Sequence, residues 1–173
     1  VPIIATAAAD CVTREAWLER LWAAHAADQI PYIERLSDSW GELCASKEVA
    51  SAWAGRLIVL TRHALHDHVH FHGTSACLSA LHRAERHAEI LELLEGQKFW
   101  PYRRWAVKAL AAMGKPSEAI RHAEACPAQW PDDVAEVCEE ILLGCGRVEE
   151  AYTRYAVSAN CRESYRGTFK AIV

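Results

Sequence analysis

Two stretches of this chain carry the same order of residue types, and they decide how the rest of the sequence is interpreted. Residues 110–120 read Leu-Ala-Ala-Met-Gly-Lys-Pro-Ser-Glu-Ala-Ile, and residues 142–152 read Leu-Leu-Gly-Cys-Gly-Arg-Val-Glu-Glu-Ala-Tyr. At a spacing of 32 residues, both contain a Leu, a Gly followed by a base, a Glu, an Ala and a large apolar residue. A weaker copy at residues 81–91 lies 29 residues before the first stretch and has Glu85 where the others have Gly. Three spaced copies indicate an internal repeat.

Each position of this unit has a physical role at a junction between two helices. Gly114 and Gly146 favour the left-handed conformation that ends a helix, and the base after each is expected to favour that helix's C-terminus. The following Glu suits the first turn of the next helix, and Ala119 and Ala151 are small where paired helices approach closely. Such a helical hairpin cannot bury its apolar face alone, so it must stack on neighbours.

The junctions at residues 113–120 and 146–152 resemble those of the tetratricopeptide repeat (TPR). That family has a period of about 34 residues and a helix–turn–helix junction of the form Leu-Gly-basic-x-x-Glu-Ala. The resemblance covers residues 74–160, with Trp105 as the nearest match to the family's Trp position, and residues 155–173 resemble the last helices of bacterial helical-repeat proteins. The family's clamp for C-terminal carboxylates needs Asn in its inner helices, and we expect none here because Asn160 is the sole Asn.

The resemblance implies an all-α fold, a right-handed superhelix of antiparallel helical hairpins (a TPR-like α-α superhelix). We expect a single helical-repeat domain over residues 1–173, built from eight or nine helices. Residues 1–72 would form N-terminal helices, residues 73–160 the TPR-like hairpins, and residues 161–173 a C-terminal helix, truncated if the chain is a piece of a longer protein.

Composition supports helices and excludes several classes of protein. The chain has 31 Ala, 8 Gly and 6 Pro, with 51% hydrophobic and 24% charged residues. Collagen-like and low-complexity chains need more Gly and Pro, and disordered chains have fewer apolar residues. The net charge of -4 is spread over both halves of the chain, which argues against a general nucleic-acid binder. No apolar run approaches the length of a membrane span, so we expect no membrane partner.

Seven scattered cysteines predict small core residues in a reducing compartment, and hence a cytoplasmic protein. Without a Cys-x-x-Cys pair, a zinc ribbon or finger has no support. The cysteines are Cys11, Cys44, Cys77, Cys126, Cys138, Cys145 and Cys161.

A histidine-rich stretch is the first candidate site. Residues 62–73 read Arg-His-Ala-Leu-His-Asp-His-Val-His-Phe-His-Gly and hold five of the nine histidines. Imidazole is the commonest ligand for zinc and related metals, so one hypothesis is a metal-binding protein or metal-dependent enzyme with zinc or another transition metal. The candidate ligands are His63, His66, His68 and His70. The favoured alternative is a half-exposed linker that happens to be rich in His, because no His-Glu-x-x-His pattern is present.

Two geometries could gather these rings. A continuing helix would place His63, His66 and His70 on one face, whereas an extended chain would point every second residue the same way. The extended set is His66, His68, His70 and His72.

A basic and aromatic stretch is the second candidate site. Residues 98–108 read Lys-Phe-Trp-Pro-Tyr-Arg-Arg-Trp-Ala-Val-Lys, and Pro101 suits a first helical turn. We expect contacts to a peptide or protein from Tyr102, Arg103, Arg104 and Lys108. The favoured alternative makes Trp105 a core residue and leaves the bases solvated, and a nucleic-acid contact is a further alternative, since aromatic faces can stack on bases.

The predicted function is a non-catalytic protein–protein interaction or scaffold module that binds a peptide or partner helix in a helical-repeat groove. No Gly-x-Ser-x-Gly nucleophile motif and no Gly-rich phosphate loop is present in the sequence. We therefore expect no enzyme activity and no cofactor. The oligomeric state and the identity of the partner are not predicted.

Overall fold

The structure, a computed structural model, describes residues 4, 6–27, 34–126 and 129–160. The regular elements in these residues are all helices, which confirms the all-α prediction. They are α1 (Cys11–Ala27), α2 (Glu34–Asp38), α3 (Trp40–Cys44), α4 (Lys47–His66), α5 (Thr74–Arg83), α6 (His87–Leu93), α7 (Trp100–Ala112), α8 (Pro116–Glu124), α9 (Pro131–Gly144) and α10 (Val148–Asn160).

The chain divides into two compact units, Val1–Glu95 and Gly96–Val173. Helices α1 to α6 belong to the first unit and α7 to α10 to the second. The division falls inside the predicted repeat region of residues 73–160. The predicted C-terminal helix, residues 161–173, lies outside the described residues.

Tryptophan side chains form the centre of the first unit. Trp40 and Trp53 are fully buried, with ring centroids 5.0 Å apart, and Trp22 lies 5.5 Å from Trp40 and 5.9 Å from Trp53. Indole pairs tilted in this way bury a large apolar area with favourable ring geometry. Trp40 and Trp53 are therefore core residues, and the half-buried Trp22 joins α1 to them.

Local signals set several helix ends. Ser46 caps α4, since its Oγ accepts a hydrogen bond of 3.3 Å from the Val49 N–H. Pro101 and Pro131 both lie in the first turn of their helices. At α1 the cap is Asp10, whose Oδ1 accepts a hydrogen bond of 2.7 Å from the Thr13 N–H.

Leu36, Trp40 and Leu43 recur at helical spacing, but the helix is broken at Ser39, between α2 and α3. The break allows Gly41 to lie directly on α5, where a Cβ would be only 2.4 Å from the Ser79 carbonyl oxygen. The Ser79 hydroxyl fixes this approach by accepting a hydrogen bond of 2.9 Å from the Gly41 N–H and donating one of 2.8 Å to the Asp38 carbonyl oxygen. Tertiary contact therefore overrides the local helical pattern.

The pairs α5/α6, α7/α8 and α9/α10 are joined by the same turn. Its central residue is left-handed in each pair, with φ of 59° at Glu85, 76° at Gly114 and 72° at Gly146. The N–H of the next residue donates to a Leu carbonyl oxygen five residues earlier, which is the bond of a Schellman motif. These bonds are Arg86 to Leu81 (3.0 Å), Lys115 to Leu110 (3.0 Å) and Arg147 to Leu142 (2.9 Å). The weaker copy thus has the same turn as the two clear ones, although Glu replaces Gly.

The base of the repeated unit pairs with a Glu of the following helix. Arg86 contacts Glu89 at 2.6 Å and Lys115 contacts Glu118 at 3.5 Å, and Arg147 pairs with Glu150. The base precedes the second helix, so a Glu three residues later is its nearest opposite charge. The expected effect of the base on the preceding helix's C-terminus stays a prediction beside this ion pair.

Small residues pack where the paired helices meet. Ala119 and Ala151 are buried at equivalent positions, and Ile90 is buried at the corresponding place in the first copy. The repeated Ala is therefore a packing residue, as the sequence predicted.

Candidate functional site

The basic and aromatic stretch lies mainly on α7, which starts at Trp100 after Phe99. Trp105 is buried, in agreement with the interpretation of this residue as core. Residues 96–117 contain five bases and no acid, although the whole chain has a net charge of -4. The five bases are Lys98, Arg103, Arg104, Lys108 and Lys115.

Arg103 is held inside the second unit. Its Nε and Nη2 donate to the His122 carbonyl oxygen at 3.0 and 2.6 Å. A cation at this place satisfies a carbonyl in the last turn of α8, where the helix carries partial negative charge. Burial, and secondarily the Arg103 charge, lowers the pKa of His122. Arg103 thus joins α7 to α8.

Arg104 and Lys108 lie one turn apart on a half-exposed face of α7. The Arg104 guanidinium carbon is 5.9 Å and the Lys108 ammonium nitrogen 5.4 Å from the centroid of the Trp105 ring. Both distances are within the range of a cation–π contact. Arg104 Nε also donates to the Pro101 carbonyl oxygen at 3.1 Å. The buried indole therefore supports two cations at the surface.

Tyr102 belongs to a different cluster. Its ring meets the half-exposed Phe99 edge-on at 5.3 Å, and Phe99 meets Trp130 at 6.1 Å. The sequence-based set did not include Trp130. One signal for it exists, because Trp100-Pro101 and Trp130-Pro131 both begin a helix. The four predicted residues therefore lie in three different surroundings. Arg103 contacts α8, Tyr102 belongs to the aromatic cluster, and Arg104 and Lys108 lie on the half-exposed face of α7.

Neither proposed geometry describes the histidine stretch. Helix α4 ends at His66, so His70 does not share its face, and His68 is left-handed (φ 55°), which interrupts an extended chain. The four candidate ligands His63, His66, His68 and His70 are exposed. Among the residues that the structure describes, no three His, Cys, Asp or Glu side chains are grouped as a metal ion would need.

Asp67 takes part in a local contact at the end of α4. His66 Nδ1 lies 2.8 Å from Asp67 Oδ1, and this hydrogen bond holds the pKa of the carboxyl below its usual range. Because both side chains are exposed, the pair contributes little to stability.

The last histidine of the stretch, His72, packs within the first unit. The His72 ring stacks on Trp22 at 5.5 Å, and burial lowers its pKa, with the neighbouring His25 and His70 adding to the effect. The buried His25 places Nε2 2.7 Å from Ser37 Oγ and 3.2 Å from the His72 carbonyl oxygen. This network ties the loop before α5 to α1 and α2. Sequence spacing gave no signal for it.

Cysteines act as packing residues wherever they are buried. Burial raises the pKa of Cys44 to about 12 and the pKa values of Cys77 and Cys138 to about 11 each. Thiols held neutral in this way are poor nucleophiles and poor metal ligands. The three buried thiols are therefore held in the neutral form.

No helix in the described part of the chain is long and apolar enough to span a membrane. Comparisons with protein-family models, with curated proteins and with solved structures give no match.

Proposed function

We propose that this chain is a non-catalytic interaction module, a TPR-like helical-repeat scaffold that binds a peptide or a partner helix in the groove of a right-handed superhelix. The observation that carries the proposal is the half-exposed face of α7, where Arg104 and Lys108 flank the buried Trp105. The shared turn of the three helix pairs supports a repeat architecture. Its free cysteines fit a reducing compartment such as the cytoplasm.

The chemistry of α7 favours a partner with carboxylates. The helix carries Arg103, Arg104 and Lys108 and no acidic residue. Arg103 is engaged with the His122 carbonyl oxygen, so we assign the partner contacts to the half-exposed Arg104 and Lys108, of which Arg104 also donates within α7 to the Pro101 carbonyl oxygen. A partner helix with Glu at positions four apart matches their spacing. Charges of this kind mainly increase the association rate and set the orientation of the partner.

A binding experiment tests this function directly. The probe is a fluorescein-labelled helical peptide with Glu at every fourth position and Leu between, and the measurement is fluorescence anisotropy at two salt concentrations. We expect saturable binding that weakens with salt and falls about tenfold in the double variant Arg104→Gln/Lys108→Gln. The matched control, Arg20→Gln/Arg121→Gln, removes the same charge from two exposed positions on other helices.

Two outcomes would contradict the proposal. Equal affinity for the double variant and its control would show that the peptide is attracted by overall charge and not by α7. Stoichiometric zinc binding that is lost in His66→Ala and His70→Ala would instead favour the metal-binding alternative.

A further inference from the structure

Helices α7 and α9 of the second unit carry rows of opposite charge at the same spacing. On α7 the bases Arg104 and Lys108 lie four residues apart and are half-exposed. On α9 the acids Asp132, Glu136 and Glu140 follow one another at intervals of four residues and are exposed. Residues four apart are neighbours on one face of a helix, so each set forms a row. We call the two sets the basic row and the acidic row.

Neither row is balanced by its own helix. Like charges one turn apart destabilise a helix, and α7 contains no acid and α9 no base. Other helices of the second unit carry both signs. Arg154 pairs with Glu150 at 2.6 Å on α10, and Lys115 pairs with Glu118 at 3.5 Å at the start of α8. The two rows are therefore neutralised only by charges from another helix.

The acidic row lies on the open side of α9. This helix contacts α8 and α10, and its buried side chains are Ala135, Cys138 and Leu142. The acids of the row are exposed while these apolar residues are covered, so α9 is amphipathic. A second helix can therefore approach the acidic row without disturbing the packing of α9.

We propose that the basic row of one copy of this chain binds the acidic row of a second copy. The bases and the acids have the same spacing, so both bases meet an acid with α9 in either direction along α7. Because each copy has both rows, a twofold dimer can form this contact twice. The inference rests on the proposed function, since it takes the α7 bases as the binding surface and identifies the acidic helix that binds them.

Apolar side chains at the ends of the rows add to the contact. Leu143, three residues after Glu140, is 49% exposed and continues the acidic row. Pro101 and Ala111, three residues before and after the basic row, are half-buried. Leu143 therefore meets one of these two residues, depending on the direction of α9. Exposed ion pairs contribute little each, so we expect a weak dimer in which the apolar contact and the repetition of the contact both matter.

Analytical ultracentrifugation of the full chain, from micromolar to millimolar concentration, tests the inference. We expect reversible dimerisation at low salt that weakens at high salt, because exposed charges are screened. The variant Arg104→Glu/Lys108→Glu has acids in both rows, and the variant Glu136→Lys/Glu140→Lys has bases at the facing positions of both. Each variant alone should dimerise at least about tenfold more weakly than the wild type, because like charges then face each other.

An equimolar mixture of the two variants is the sharpest measurement. The acidic α7 of the first variant faces the basic α9 of the second, and the acidic α9 of the first faces the basic α7 of the second, so association should return. The matched controls reverse the same number of charges at exposed positions on other helices. They are Arg20→Glu/Arg121→Glu and Glu15→Lys/Glu149→Lys, and each alone should dimerise as the wild type does.

Three results would overturn the inference. They are a chain that stays monomeric at millimolar concentration and low salt, dimerisation that either reversal leaves unchanged, and folded reversed variants that do not associate when mixed. A reversed variant that circular dichroism shows to be unfolded is replaced by its Gln version, which should also weaken dimerisation.

The peptide assay separates this inference from the proposed function. If the chain stays monomeric but the helical Glu peptide still binds the α7 bases, this inference fails and the proposed function stands. If neither the peptide nor a second copy binds those bases, both fail.

Discussion

Glu85 is the left-handed residue in the turn between α5 and α6, and its conformation leads to a prediction of unusual sign, in which glycine is more stabilising than alanine. Glu85 has a φ of 59°, which costs a residue with a Cβ about 1–2 kcal/mol relative to a right-handed conformation. Glycine does not have this cost, although its freedom in the unfolded chain offsets about 0.5–1 kcal/mol. Glu85→Gly should therefore be more stable than Glu85→Ala by about 0.5–1 kcal/mol.

The comparison of these two variants isolates the contribution of the backbone conformation at residue 85 to stability. Glu85 forms an exposed ion pair with Lys47 at 2.5 Å, and both substitutions remove it, so the pair cancels in the difference. The matched control is Ala52, which is exposed in the interior of α4. There Ala52→Gly should lower stability by about 1 kcal/mol.

Urea and thermal unfolding followed by far-ultraviolet circular dichroism measure both differences. In a chain of this size, each kcal/mol of difference in stability between the Gly and Ala variants at residue 85 should appear as a difference in Tm of about 2–4 °C. Position 85 and its control lie in the same unit, so both report on the same unfolding event. If Glu85→Ala proves as stable as Glu85→Gly or more so, residue 85 is not left-handed in solution, and the weaker copy does not share the turn of the other two.

Three further changes have defined outcomes. Gly41→Ala should lower the free energy of unfolding, measured by urea titration, by about 2–3 kcal/mol, because the added Cβ would lie 2.4 Å from the Ser79 carbonyl oxygen. A variant as stable as the wild type would show that Gly41 and Ser79 lie farther apart in solution. Burial lowers the pKa of His122 from its usual value of 6.5, so the unfolded chain takes up a proton at a higher pH than the folded chain, and stability falls as pH drops from 6.5 through the folded pKa. The variant His122→Gln should therefore lose less stability than the wild type between neutral pH and about pH 5. Equal losses in the two proteins would refute this assignment. Tyr155→Phe removes the 2.6 Å hydrogen bond to Glu124 and should cost about 1 kcal/mol by the same urea assay, whereas an unchanged midpoint would show that water replaces the bond.

Sequence patterns predicted those features that depend on residues close together in the chain. Pro101 marked a helix start, and the alignment of Glu85 with Gly114 pointed to a turn that the Glu residue alone would not indicate. Each of these features depends on the conformation of a few consecutive residues, so the sequence alone is enough to predict it.

Features that depend on tertiary contact were not predictable. The His122 carbonyl oxygen that holds Arg103 lies 19 residues from it, and His25 meets the His72 carbonyl across 47 residues. No spacing rule relates such pairs, because the fold brings them together. The sequence therefore identified the basic residues of α7 but did not show that Arg103 was already engaged.

Charge is separated between two helices of the second unit, and this bears on where an acidic partner would lie. Residues 96–117, including α7, have five bases and no acid, whereas α9 has five acids and no base. An acidic peptide is attracted by Arg104 and Lys108 and repelled by the carboxylates of α9. Repulsion of this kind contributes to specificity as much as attraction does, because it raises the free energy of the wrong position. Since both effects are screened by salt, the preference for α7 over α9 should be strongest at low ionic strength.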